Sequence, residues 1–167
     1  MAELTTRERL QPSLLDRLTD NDPANRHESR ELRVMSLQQI REAVQRDLAW
    51  LLNCGCLATT EDLEDFPHVI RSVLNYGIPD LSGMTVHKWD VAALERALTQ
   101  AIADFEPRIL ENSLRVRVVT DAEGMHRNAM VFEIEGKLWS QPMPVRLLWN
   151  TTVDLETGDI RVKEQGR

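Results

Sequence analysis

The sequence predicts an α+β fold with N-terminal helices packed on one face of a mostly antiparallel C-terminal sheet. Three observations carry this. Apolar residues recur at helical spacing between Leu14 and Phe105, Pro107 stops that pattern, and from Leu114 onward apolar and polar residues alternate with a period of two. A chain of 167 residues can bury about 70% of its unfolded surface, enough for one real core.

The elements follow in order. Leu10, Leu14, Leu15 and Leu18 lie behind Pro12 at helical spacing, and Asp20-Asn21-Asp22-Pro23 breaks the pattern. Residues 1–30 therefore read as an amphipathic helix with a polar connector, and residues 31–167 as one domain. Charges alternate in sign from Arg26 to Arg33, as in a solvated connector. Ser36 and Gln39 form a capping-box pattern ahead of Leu37, Ile40, Val44, Leu48 and Leu51, which make one apolar stripe ending near Asn53-Cys54-Gly55. A second helix starts around Asp65-Phe66-Pro67 and is expected to bury Val69, Ile70, Val73 and Leu74. It stops at Asn75 to Asp80, where Gly77 accepts a left-handed conformation and Pro79 prevents continuation.

A third helix runs from Trp89 to Phe105, with Val91, Leu94, Leu98, Ala101, Ile102 and Phe105 on one face. Pro107 forces Glu106 out of helical geometry and ends it. Strands follow around Leu114 to Val118, Met130 to Glu135 and Val145 to Asn150. A fourth, Ile160 to Lys163, follows the turn Glu156-Thr157-Gly158-Asp159 and closes a hairpin.

Composition excludes several classes of function. Hydrophobic residues make up 42% and charged residues 28%, far from the composition of disordered chains. Lys and Arg number 20 against 27 Asp and Glu, a net charge of -7, which disfavours binding to a phosphate backbone. No apolar run reaches the ~18 residues of a membrane span, and Met1 to Leu10 is polar and of mixed charge, unlike a signal peptide. Membrane insertion is not expected, and a cytoplasmic location is. Cys54 and Cys56 flank Gly55, too close together to staple a fold, and read as free thiols beside a helix C-cap.

Catalytic chemistry leaves little trace. His27, His68, His87 and His126 are scattered and show no zinc-ligand spacing, and there is no Gly-rich phosphate loop or nucleophile elbow. No metal or other cofactor is expected. Glu61, Asp62, Glu64 and Asp65 precede a helix start, where acids suit the macrodipole. The unusual local feature is Phe105-Glu106-Pro107-Arg108, which sets opposite charges on either side of a proline at a helix-to-strand corner. Proline fixes its own φ and restricts Glu106, so both charged side chains leave the corner in reproducible directions. That arrangement suits a preorganised polar anchor. The alternative is that proline only ends the helix while the charges face water or pair with Arg33 or another neighbour. Tyr76 to Asp80 is likewise a rigid loop, with either a contact role or a packing role.

Four segments together resemble one family: Ser13-Leu14-Leu15-Asp16-Arg17-Leu18, Arg46 to Asn53, Ser72 to Leu81, and Phe105 to Arg108. Their order and spacing are similar to those of TssE, the type VI secretion baseplate subunits related to the contractile phage tail wedge protein often labelled lysozyme-like. The likeness runs from about Leu14 to Val162, and departs at Cys54-Gly55-Cys56, where the family more often carries threonine and arginine. It implies a noncatalytic, cytoplasmic wedge subunit that assembles with TssF and TssG, with TssK and the VgrG spike hub as further neighbours. Such a subunit joins the baseplate to the first ring of the TssB/TssC sheath and helps start its growth. The resemblance carries the docking role onto Glu106, Pro107 and Arg108; Tyr76 and Asp80, in the rigid loop, are further candidate partner contacts. An open sheet edge would accept a sheath strand. The competing function is a peptidoglycan-cleaving muramidase, which requires an acid and nucleophile pair of carboxylates.

Overall fold

A computed structural model of the protein describes residues 13–19, 23–24, 36–81, 90–119, 129–139 and 144–164. Its helices are α1 (Leu14–Leu18), α2 (Leu37–Leu52), α3 (Pro67–Ile70) and α4 (Val91–Phe105). Its strands are β1 (Arg115–Val119), β2 (Ala129–Leu138), β3 (Val145–Asp154) and β4 (Ile160–Glu164). The strands form one antiparallel meander in the order β1-β2-β3-β4. The α+β prediction holds, with helices on one face of the sheet. Leu10, Pro12, Arg26 to Arg33 and Trp89 lie outside the described residues.

The helix signals act as the sequence implies. Ser36 Oγ accepts the Gln39 N–H at 3.2 Å and Gln39 Oε1 accepts the Ser36 N–H at 2.8 Å, so both halves of the capping box of α2 are made. Ile40, Val44, Leu48 and Leu51 are buried along one stripe of α2, and Leu94, Leu98 and Ile102 along one stripe of α4. Both stripes meet the inward face of the sheet, where Phe132, Ile134, Trp149 and Val153 are fully buried. Alternation in β2 and β3 thus places every second side chain in the core.

The second predicted helix is corrected. α3 is four residues long, and a separate 3-10 turn covers Val73–Asn75. Ile70, Val73 and Leu74, expected in the core, are 42%, 80% and 68% exposed. Polar side chains competing for the backbone explain the break. Ser72 Oγ accepts the Leu74 N–H at 3.2 Å, while Asn75 donates to the Ile70 carbonyl at 2.8 Å and accepts from the Ala58 N–H at 2.8 Å. Apolar residues spaced for a helix thereby lose the helix that would turn them inward.

Helix side chains guard both edges of the sheet. On β4, Asn53 accepts from the Ile160 N–H at 2.9 Å and donates to the Ile160 carbonyl at 2.8 Å, while Gln45 donates to the Val162 carbonyl at 2.9 Å. Asn53 thus imitates the backbone of a neighbouring strand. On β1, Glu95 of α4 accepts the Val118 N–H at 2.8 Å. Among the described residues no helix is long and apolar enough to cross a membrane.

Past α2 the chain makes a close approach to itself. The Ile78 N–H donates to the Cys54 carbonyl at 2.8 Å and the Cys56 N–H to the Ile78 carbonyl at 3.0 Å. Gly77 sits between them at φ 127, and a Cβ there would stand 2.2 Å from the Cys54 oxygen. Gly77→Ala is therefore expected to lower stability by at least about 2 kcal/mol in urea unfolding. Gly55→Ala is the control, because a Cβ at that position meets nothing within 4 Å. It should change stability by less than about 0.5 kcal/mol.

Candidate functional site

The corner after α4 is built by proline. Pro107 has no N–H with which to extend the helix, so α4 closes with the Glu106 N–H on the Ile102 carbonyl at 2.8 Å. The segment beyond is held against the end of β2. The Trp139 N–H donates to the Arg108 carbonyl at 2.7 Å, and the Leu110 N–H to the Lys137 carbonyl at 2.9 Å. The corner is fixed on both sides before any side chain contributes.

Glu106 is only 3% exposed, and a carboxylate withdrawn that far from water needs compensation. Arg108 supplies it as a fork, with Nε donating to Oε1 at 2.6 Å and Nη2 to Oε2 at 2.5 Å. The Arg108 N–H adds a third bond to Oε1 at 3.2 Å. The guanidinium then reaches across to α2, where Nη2 donates to Asp47 Oδ2 at 2.5 Å. Asp47 Oδ1 accepts from Arg46 Nε at 2.9 Å and Nη2 at 2.8 Å, and Arg46 Nη1 donates to Asp16 Oδ1 at 2.7 Å. Ser13 Oγ, at the N-cap of α1, completes the row by donating to Asp16 Oδ2 at 2.7 Å. Acid and base alternate from Glu106 through Arg108, Asp47 and Arg46 to Asp16.

Electrostatics follow this order. Burial of Arg108 works against its charge, but the hydrogen bonds and charge of Glu106, then of Asp47, outweigh it and raise the pKa above the ordinary arginine range. At Asp16 the hydrogen bond from Arg46 lowers the carboxyl pKa, opposed by partial burial and helped by Ser13. Burial raises the Tyr76 hydroxyl, and the charges of Cys54, Asp47 and Glu106 add to it.

Beside this row lies a groove of about 470 Å³, walled by Trp50, Tyr76 and Phe105 and floored by Leu51, with Leu15 of α1 at its margin. Tyr76 packs edge-on against Phe105, ring centroids 5.2 Å apart. The Arg46 guanidinium stands 5.0 Å from the Trp50 ring centre. Glu106, Pro107, Arg108 and Tyr76 therefore share one groove. Asp80 does not: it is exposed and lines a separate groove of about 520 Å³ with Cys54 and Cys56. Both cysteines are free thiols. Arg33 is outside the described residues, and the corner charges pair with each other and with Asp47. Sequence reasoning gave no role to Asp47, Arg46 or Asp16. The signal lies in an adjacent Arg46-Asp47 and in the acid within Ser13 to Leu18.

Alanine at either corner charge is expected to weaken the fold. Arg108→Ala strands the Glu106 carboxylate and should cost about 3–5 kcal/mol in thermal or urea unfolding, and Glu106→Ala somewhat less. Acid should release α1. The folded-state pKa of Asp16 lies below its ordinary 3.8, so its stabilisation is complete above that value and lost as pH falls through the lower folded value. The stability gap between the protein and its Asp16→Asn variant, roughly 1 kcal/mol at neutral pH, should persist down to pH 5 and close below 3.8. A gap that does not change with pH would contradict this assignment.

Comparison with known proteins supplies a family. No curated protein and no solved structure matches the chain. The model of the family described as baseplate wedge protein gp25 matches residues 38–143, from the start of α2 to just before β3. That span contains Asp47, Tyr76 and the Glu106-Pro107-Arg108 corner. With most of its length matched, and with the corner inside the match, the chain belongs to the baseplate wedge protein gp25 family.

Proposed function

We propose that this wedge protein is a noncatalytic subunit of a type VI secretion baseplate, equivalent to TssE, that docks onto TssF and TssG and links the wedge to the TssB/TssC sheath. Membership of the wedge family implies assembly with other baseplate proteins. The observation that carries the finer reading is the state of Arg108. Its Nε and Nη2 are committed to Glu106 and Asp47, which fixes the direction of a guanidinium that lines the groove. Its side chain is 22% exposed, while that of Glu106 is 3% exposed. Glu106 and Asp47 therefore orient Arg108, and Arg108 presents itself to the partner. A donor held in place before binding loses little entropy on docking.

The sheath link uses the sheet. At β4 an incoming strand would have to displace three hydrogen bonds from Asn53 and Gln45, and at β1 one bond from Glu95. β1 is therefore the edge that accepts a strand at lower cost. A hydrolytic role has little support from the acids described at this groove. Both oxygens of Glu106 and of Asp47 are engaged by guanidinium donors, whereas a glycosidase needs one free acid and one free base or nucleophile.

The test uses one conservative change at the fork and one at the groove wall. Arg108→Lys keeps a charge but loses the fork, and Trp50→Ala removes an aromatic wall that is 52% exposed. Each variant should keep its circular dichroism spectrum and recover roughly tenfold less TssF and TssG in pull-down. Recovery equal to that of the unchanged protein in both variants would remove the docking claim. Purified protein should leave a cell-wall suspension turbid, and clearing that depends on Glu106 or Asp47 would reverse the noncatalytic reading.

A further inference from the structure

The sheet face turned away from the helices carries a charge opposite to that of the chain. Register places six basic residues there, Arg115, Arg117, Lys137, Arg146, Arg161 and Lys163, with three acidic ones, Glu133, Glu135 and Asp154. All six basic residues are exposed. This face therefore carries a net charge of +3 within a chain of net charge -7, leaving -10 for the remainder.

Two details separate this face from an ordinary solvated surface. Lys137 stands directly opposite Arg146 across β2 and β3, and like charges in facing positions lower sheet stability. Among the described residues, Arg146 to Glu135 at 2.7 Å is the one ion pair on the face, although Arg115 and Arg117 lie in register with Glu135 and Glu133. Val119, Val131 and Leu148 are half-buried between the charges and give a partner apolar footing.

We infer that this face is a docking surface for an acidic face of another protein in the assembly, separate from the groove beside Arg108. Charge complementarity favours a protein over nucleic acid. Glu133 and Glu135 sit on β2, an inner strand of the face, where a uniform row of phosphates would meet repulsion, whereas a protein can set a cation opposite each. The excess of -10 elsewhere on the chain repels an extended polyanion as well. The inference rests on membership of the wedge family and not on the type VI assignment.

Lysine chemistry tests it directly, because two of the chain's three lysines, Lys137 and Lys163, lie on this face. Acetylation of amines by an N-hydroxysuccinimide ester would be compared between the purified chain and the chain recovered from cells by an affinity tag with whatever it binds. Both lysines should react at least about fivefold more slowly in the recovered material, and a carbodiimide should join one of them to an Asp or Glu of another protein. Equal reactivity in the two samples would overturn the inference. So would protection that nuclease treatment abolishes. The identity of the co-recovered proteins tests the type VI assignment separately, so the two readings fail in different ways.

Discussion

A carboxylate withdrawn from water at the end of a helix is the constraint around which the site is organised. Glu106 follows α4 at a position where Pro107 prevents the helix from continuing, and it is 3% exposed. Leaving it charged and alone would cost several kcal/mol. Arg108 answers with both arms of its fork, Asp47 balances Arg108, Arg46 balances Asp47, and Asp16 balances Arg46. Each member is where it is because the previous one needs a counter-charge. α1, which buries none of its own residues, is tied to α2 at the far end of that row.

α2 is the element that lets this row coexist with a core. Its apolar stripe fills the interior with Ile40, Val44, Leu48 and Leu51. One flank holds the edge of β4 through Gln45 and Asn53, and Arg46 and Asp47 supply two links of the charge row. α4 has a comparable double role, with its stripe in the core and Glu95 on the edge of β1. The helices thus cover one sheet face and part of each edge, and leave the other face, with its basic surplus, to solvent.

Most of the fold was legible because periodicity reports local geometry that the core then uses. Leu94, Leu98 and Ile102 are buried as their spacing implies, as are Phe132, Ile134 and Trp149. The segment from Ile70 to Leu74 was misread for an identifiable reason. Its apolar spacing suited a helix, but Ser72 and Asn75 satisfied the backbone in another way, which periodicity does not register. The corner was legible because proline constrains its neighbours, whereas its partner Asp47, 61 positions away from Arg108, was not. Contacts between distant positions have no local signature in one sequence. Asp80 was grouped with Tyr76 by proximity along the chain, yet Gly77 and Pro79 turn the backbone between them into a different groove.

In this architecture the core holds the helices to the sheet, and the charge row holds Arg108 in one orientation while adding stability of its own. The most direct test is a double-mutant cycle on unfolding free energy with Glu106→Gln, Arg108→Met and the combined change. A buried, mutually dependent pair predicts a coupling above about 2 kcal/mol, with the double variant more stable than the sum of the single losses implies. Coupling below about 0.5 kcal/mol, the level of an exposed ion pair, would contradict the account.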